Sequence, residues 1–263
     1  MTAKITFRII ALGYLALLLV FPVSMVFART FGEGVGAVWG AIIKPDALHA
    51  LWMTLFIAVI AVSANTVFGI VCALVLVRHD FRGKSLLNAV LDLPLAVSPV
   101  VIGLALLIIY GRTSPVGAWL AEMGIRIIFS TPGMILATIF VSLPFVVREV
   151  VPVLREIGTE QEQAASTLGA SGLQTFWMVT LPAIRSGVAY GIVLTMARAI
   201  GEFGAVSIVS GKLSGLTETL TIYVESSFQS FDLVGCYTAA VVLAVIAVGT
   251  LLLTNLTNPK EEY

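Results

Sequence analysis

The sequence predicts an all-α integral membrane protein with six spans and both ends on the cytoplasmic side. The first observation is composition: 59% of the residues are hydrophobic and 11% are charged, so lipid rather than water must be the main solvent. The second is a set of six apolar runs, each long enough to cross about 30 Å of hydrocarbon. The third is an uneven distribution of basic residues between the loops.

The six apolar runs are separated by short polar segments, and residues 1–263 form one membrane domain. The first run resembles a signal peptide, but its apolar core is too long for one and further spans follow, so it is predicted to be retained. Pro94 and Pro99 predict a kink or break near the cytoplasmic end of the third run. The predicted spans are residues 9–28, 51–77, 86–110, 131–151, 184–210 and 233–256.

Basic residues decide the predicted orientation, because positive charge favours the cytoplasm. One side holds Lys4, Arg8, Arg78, Arg82, Lys84, Arg148, Arg155, Arg185 and Lys260. The other side holds Arg29, Lys44, Arg112, Arg126 and Lys212. The larger set is placed inside, together with both termini. The external segments 30–50, 111–130 and 211–232 are short, although each could carry a small helix. The formal net charge of zero gives no reason to expect nucleic-acid binding.

Residues 159–182, between the fourth and fifth spans, begin with a helix-start signal. Thr159 followed by Glu162 matches a capping box, in which a hydroxyl and a carboxylate satisfy two orphaned backbone amides. A short helix is therefore predicted over Glu160 to Leu168. Gly169 supplies the residue that best tolerates a left-handed turn at the end of that helix.

A second short helix is predicted in the same stretch. Ser171 with Gln174 repeats the capping pattern, and the helix should carry Phe176, Trp177 and Val179 and run as far as Leu181. Pro182 should then end it. On these signals alone, an ordinary capped helix–turn–helix in a loop is the alternative to a functional element.

The spacing of these residues resembles the EAA loop of bacterial ABC importer permeases. In that family the loop forms a coupling helix: small alanines sit in a groove of the ATP-binding subunit, a glycine turns the chain, and a Leu-Pro pair returns it to the membrane. Gln163 stands where the pattern usually has Glu, so either Glu162 carries that charge or a neutral amide suffices. The implied coupling residues are Glu160, Glu162, Gln163, Ala164, Ala165, Leu168, Gly169, Leu181 and Pro182.

Arg198 and Glu202 are charged residues inside the fifth predicted span, four residues apart and therefore on one helix face. Ionisable groups at membrane depth usually face a bundle interior or a water path. Two interpretations remain open. The pair borders an anion path or its gate, or it is mutually neutralised and only holds the fifth span against its neighbours.

Other polar residues near the membrane receive milder predictions. Asn65 and Ser63 in the second span are expected to hydrogen-bond across helices. Asp92 is expected to cap backbone amides freed near Pro94, or, as the weaker alternative, to contact the coupling stretch. The sequence carries no metal-ligand spacing and no P-loop glycine-lysine motif.

Further segments resemble a narrower family. Residues 198–205, reading RAIGEFGA, look like a signature shared by sulfate and molybdate permeases. Residues 143–154 and 158–165, extended by 92–101 and 217–221, look like the W-type subunits of sulfate/thiosulfate permeases. This resemblance implies the type I ABC importer permease fold, with its core over residues 48–256.

The resemblance also implies a function and a set of partners. The chain would be a non-catalytic permease subunit that moves sulfate, and thiosulfate as well, inward across a bacterial inner membrane by alternating access. It would pair with a homologous T-type permease, two copies of a cytosolic ABC ATPase that carries ATP and Mg²⁺, and an extracytoplasmic sulfate-binding protein. The alternatives are a molybdate/tungstate permease that pairs with itself and, in a different class, a membrane-embedded enzyme or an autonomous anion channel.

Overall fold

The computed structural model describes residues 2–257, which form helices and connecting turns without a β-strand among them. Lys260, counted on the cytoplasmic side, lies outside these residues. Two π turns, Ala16–Val20 and Phe176–Thr180, interrupt the helical path. The α-helices are α1 (Thr2–Leu15), α2 (Phe21–Phe31), α3 (Val35–Ile42), α4 (Pro45–Arg78), α5 (Lys84–Ala96), α6 (Pro99–Tyr110), α7 (Pro115–Glu122), α8 (Thr131–Glu156), α9 (Glu160–Thr167), α10 (Gly172–Thr175), α11 (Leu181–Ala183), α12 (Arg185–Ile200), α13 (Gly204–Val209), α14 (Leu220–Gln229) and α15 (Leu233–Thr257).

Four stretches of helix are long and apolar enough to cross a membrane, namely Thr6–Phe31, Pro45–Arg78, Thr131–Glu156 and Leu233–Thr250. Two bent pairs raise the number to six if each pair counts as one span. In the first pair, the chain bends by 111° between α5 and α6. In the second, it bends by 70° between the segment Gly172–Ala183 and α12.

The third predicted span is divided into two helices, α5 and α6. The break predicted from the prolines is present and falls at Val97 and Ser98, both of which have extended ψ angles of 137° and 136°. A residue before proline avoids the helical region, which explains Ser98. Pro99 then opens α6, where its missing N–H has no intrahelical partner to lose.

The fifth predicted span, residues 184–210, is also divided. α12 ends at Ile200 and α13 begins at Gly204, leaving a non-helical step at residues 201–203. Glycine at both edges of this step removes side-chain obstruction, and Gly204 lies close to Pro99, whose Cβ would be 2.9 Å from an added Cβ. The membrane stretch therefore contains an unwound segment at the position of the charged pair.

α8 is the central helix and packs against both α4 and α12, which also pack against each other. Both neighbours approach Val146 through a glycine. A Cβ added at Gly69 would lie 2.7 Å from the Cβ of Val146, and one added at Gly191 would lie 2.9 Å from its Cα. Small residues at helix contacts allow such close packing in membranes, where van der Waals contact replaces the hydrophobic effect as the driving force.

Asn65 links α4 to α8 through its side-chain amide. Its Nδ2 donates to the backbone carbonyl of Ile139 at 3.0 Å and to Ser142 Oγ at 2.9 Å, and the residue is fully buried. The expected cross-helix bond of Asn65 is thus confirmed. The same expectation for Ser63 is wrong, because its hydroxyl donates to the Val59 carbonyl within α4.

Candidate functional site

The segment between α8 and α12 forms two short helices joined by a left-handed glycine. α9 is followed by Gly169 at φ +85°. The Ala170 N–H donates to the Ala165 carbonyl at 3.1 Å, and the Gly169 N–H donates to the Ser166 carbonyl at 3.0 Å. These two bonds form a Schellman motif, which satisfies carbonyls that the helix end leaves free. The predicted glycine turn is confirmed.

The start of the second helix also agrees with its predicted capping box. Ser171 Oγ accepts from the Gln174 N–H, and Gln174 Oε1 accepts from the Ser171 N–H at 2.8 Å. Pro182, however, does not end the helix. The helix continues through the π turn Phe176–Thr180 and then through α11, which ends at Ala183. The bend into α12 therefore occurs at Ile184. Proline is tolerated here because it stands in the first turn of α11.

The predicted capping box at the start of α9 is wrong. Thr159 is the N-cap residue, but it has helical angles and its side chain caps no backbone amide. Its hydroxyl instead accepts from Gln163 Nε2 at 3.1 Å. Glu162, which should have completed the box, points to a different partner.

Glu162 binds an arginine at the end of α4. Arg78 Nε donates to Glu162 Oε2 at 2.9 Å and Arg78 Nη2 donates to Oε1 at 3.2 Å, a bidentate arrangement that combines charge with fixed geometry. Thr180 Oγ1 adds a third bond to Oε1 at 2.9 Å. The side chains of Arg78 and Glu162 are 12% and 22% exposed. The carboxylate is therefore directed into the protein and away from the exposed face of α9.

The exposed surface of α9 and its turn combines polar side chains with small and apolar ones. Gln163 and Ala164 are exposed, and Ala165 is partly buried. Leu168 is 88% exposed, and Leu173 at the start of the next helix is 70% exposed. Large apolar side chains gathered in this way on a polar segment are typical of an interaction surface. Of the other predicted coupling residues, Glu160, Gly169 and Pro182 are exposed and Leu181 is partly buried.

Arg198 and Glu202 meet at the unwound step between α12 and α13. Arg198 Nη1 lies 2.5 Å from Glu202 Oε2, and the side chains are 29% and 2% exposed. Glu202 Oε1 also accepts from the Ala205 N–H at 2.8 Å, at the start of α13. Thr221 Oγ1 donates to the Glu202 carbonyl at 2.9 Å. The pair therefore neutralises itself and stabilises the break, and only Arg198 retains access to its surroundings.

Two features of the site are not evident in the sequence. Arg78 reads as the first residue of a charged turn after an apolar run, and nothing local identifies Glu162 as its partner. Asp92 was expected to cap amides near Pro94 or to contact the coupling stretch, and both expectations are wrong. It accepts from Arg148 Nε at 2.7 Å instead, which joins α5 to α8.

Charged and polar bonds hold the segments predicted to be external, both between two of these segments and within one of them. Lys44 Nζ lies 2.5 Å from Asp232 Oδ2. The hydrogen bond to Lys44 lowers the pKa of Asp232, and the same bond raises the pKa of Lys44. Glu218 is buried, and its Oε1 accepts from Ser226 Oγ at 2.5 Å. Within residues 2–257, no group of three His, Cys, Asp or Glu side chains could hold a metal ion.

The fold and this site define an all-α membrane permease of the type I ABC importer architecture, with an exposed helix–turn–helix between α8 and α12. The same fold occurs in the crystal structure of a bacterial alginate ABC transporter in complex with alginate pentasaccharide-bound periplasmic protein. The two chains align with a TM-score of 0.77 and 17% identity, over 96% of this chain and 92% of that chain.

Sequence comparison gives the family. Residues 65–260 match the binding-protein-dependent transport system inner membrane components, and the chain belongs to this family. It is 50% identical to the sulfate transport system permease protein CysW of Synechocystis sp., over 100% of this chain and 96% of that protein. It is 37% identical to the sulfate transport system permease protein CysT of Synechococcus elongatus, over 95% of this chain and 90% of that protein.

Proposed function

We propose that this chain is the W-type permease subunit of an ATP-driven importer that carries sulfate, and also thiosulfate, across the bacterial inner membrane. The observation that carries the proposal is the 50% identity to a sulfate permease over 100% of this chain. The proposed orientation places both termini and residues 159–182 in the cytoplasm. The spans are the six predicted ones, with the third and fifth broken as described, and the permease core covers residues 48–256.

The exposed face of α9 is the proposed docking surface for a cytosolic ATPase. Ala164 and Ala165 present little bulk, so the helix can enter a groove. Leu168 supplies an apolar side chain that is 88% exposed and would be buried by a partner. Because Glu162 is bound by Arg78, Gln163 is the residue that meets the ATPase at the position where the EAA pattern has Glu, and a neutral amide suffices there.

The chain is assigned no catalytic residue and no cofactor of its own. ATP and Mg²⁺ belong to two copies of the ATPase, which would bind one coupling helix from each permease. The second permease is the homologous T-type subunit, and a sulfate-binding protein docks on the external segments. ATP binding draws the coupling helices together and moves the bundle toward an outward-open state, and hydrolysis reverses the change.

Arg198 is the better candidate of the charged pair for contact with a passing anion. Its side chain is 29% exposed, whereas that of Glu202 is 2% exposed. The Glu202 carboxylate offsets much of the positive charge, so an anion would be held weakly and could leave. Weak binding suits a path whose selectivity is set upstream by a soluble binding protein.

Uptake of labelled sulfate tests the substrate. Cells lacking the chain are complemented with it, and molybdate or thiosulfate is added in excess as a competitor. The proposal expects sulfate uptake to return, thiosulfate to compete and molybdate to compete poorly. Return of molybdate accumulation alone would contradict the sulfate assignment. Purification provides a second check, because a homodimer in place of two different permeases would contradict the pairing.

A further inference from the structure

Arg78 occupies the junction of three elements. It is the last residue of α4, a helix of 34 residues that extends about 50 Å at the helical rise. Besides its bidentate contact with Glu162, Arg78 Nη1 donates to the Leu154 carbonyl at 3.0 Å and Nη2 donates to the Gly158 carbonyl at 2.6 Å. One guanidinium thus joins the end of α4, the end of α8 and the first turn of α9.

The carboxylate on the other side of this contact extends the connection. Glu162 lies in the first turn of α9 and accepts from Thr180 in the π turn that precedes Leu181. The two short helices on either side of Gly169 are therefore fixed to the same point on α4. We name the Arg78, Glu162 and Thr180 side chains the α4–α9 clamp.

Residues near the opposite end of α4 contact the first residue of α14 and the segment that precedes it. Thr54 Oγ1 accepts from the Leu220 N–H at 2.8 Å, and both residues are buried. His49 Nε2 lies 3.3 Å from the Leu216 carbonyl. α4 is a continuous helix between these contacts and the clamp, without an interior break of the kind found between α5 and α6. α4 therefore connects the clamp physically to the start of α14.

We propose that Arg78 is a positioning residue for transport. It fixes the coupling helix to α4, so that a movement of α9 also moves α4 and, through α4, the start of α14 on the external side. This inference rests on the proposed function of α9. Arginine suits the role because its planar fork contacts a carboxylate and two carbonyls at once. Lysine offers a point charge without that geometry.

The test uses the full transporter complex in liposomes, with sulfate uptake and ATP hydrolysis measured on the same sample. For Arg78→Gln, sulfate transported per ATP hydrolysed should fall about five- to tenfold, which is the lower end of the range of typical coupling energies. Arg78→Lys should recover part of the ratio, since the charge remains. Arg82→Gln is the matched control, because Arg82 is exposed in the turn that follows, and its ratio should equal that of the unmodified complex.

Two milder variants keep the inference testable if Arg78→Gln fails to assemble. Glu162→Gln and Thr180→Val each alter the clamp while preserving side-chain shape, and each should lower the ratio by about twofold or more. A ratio equal to that of Arg82→Gln in all assembled clamp variants would overturn the inference. Failure of the proposed function has a different signature, since the unmodified complex would then show no ATP-dependent sulfate uptake.

Discussion

Replacing Gly169 with valine probes the coupling turn with little interference from other contacts. Gly169 has φ +85°, and an added Cβ would meet nothing within 4 Å. The Cβ of the new side chain therefore lies in open space. Its effect arises from the backbone, because a β-branched residue disfavours the left-handed region.

The magnitude follows from that backbone preference. Placing an L-residue in the left-handed conformation costs about 1–2 kcal/mol, which corresponds to a roughly 5- to 30-fold drop in the population of the native turn. α9 has eight residues and no buried ones. Isolated helices of this length are marginal in water, so little else compensates for loss of the turn. Gly169→Asn should be much milder, since asparagine adopts this conformation more readily than other non-glycine residues.

The assay compares ATP-dependent sulfate uptake and ATPase copurification across matched variants. Gly172→Val is the control, because Gly172 lies in the same loop, has no left-handed φ and is also open within 4 Å. Gly169→Val should lose uptake and ATPase copurification while its amount in the membrane is unchanged. The reasoning is refuted if Gly169→Val transports as well as Gly172→Val.

Three further perturbations probe packing and charge. Arg198→Met should destabilise the protein by about 3–5 kcal/mol because it leaves the Glu202 carboxylate buried without its cation. Combining it with Glu202→Gln should restore the yield of folded complex, and equal yields of the single and double variants would argue against neutralisation. Asn65→Leu should cost about 1–3 kcal/mol, since it removes two buried cross-helix bonds; an unchanged Tm in detergent would contradict this. The Lys44–Asp232 pair should add under about 1 kcal/mol because it is largely exposed. Because the pair lowers the pKa of the Asp232 carboxyl, this contribution is present above pH ~3.9 and is lost as the pH falls further. The difference in Tm between the unmodified protein and Asp232→Asn should therefore vanish in acid.

Local features of the site could be predicted from the sequence because their causes are local. The left-handed turn needs a residue without a Cβ, and Gly169 supplies it. The capping box at Ser171 needs two side chains three residues apart. In both cases the bonds form within a few residues, and distant parts of the chain do not compete for them.

Glu162 was misassigned because a distant partner competes for it. A capping box at Thr159 would use a neutral backbone amide, whereas Arg78 offers a bidentate ion pair from 84 residues away. Both kinds of bond are charge-assisted on the carboxylate side, but Arg78 adds a second charge of opposite sign and two N–H···O bonds in place of one, so the distant partner prevails. The same reason explains Asp92, which binds Arg148 from 56 residues away instead of capping amides near Pro94.

The breaks within the third and fifth predicted spans do not follow from apolar length. Apolar length alone indicates where a chain can cross a membrane, but it does not indicate a break. Prolines signalled the break between α5 and α6, although its position at Val97 and Ser98 depended on the restriction before Pro99. No proline marks the break at residues 201–203. The ion pair and the Thr221 bond that stabilise the break depend on the folded structure.

ATP-driven accumulation of sulfate by the reconstituted complex tests the central claim most directly. Liposomes would contain this chain, the second permease and the ATPase oriented inward, with ATP and Mg²⁺ trapped inside and the binding protein and labelled sulfate outside. The account predicts sulfate accumulation that requires both ATP and the binding protein, and that is lost in Gly169→Val. Sulfate flux through liposomes holding this chain alone, or accumulation without ATP, would contradict it.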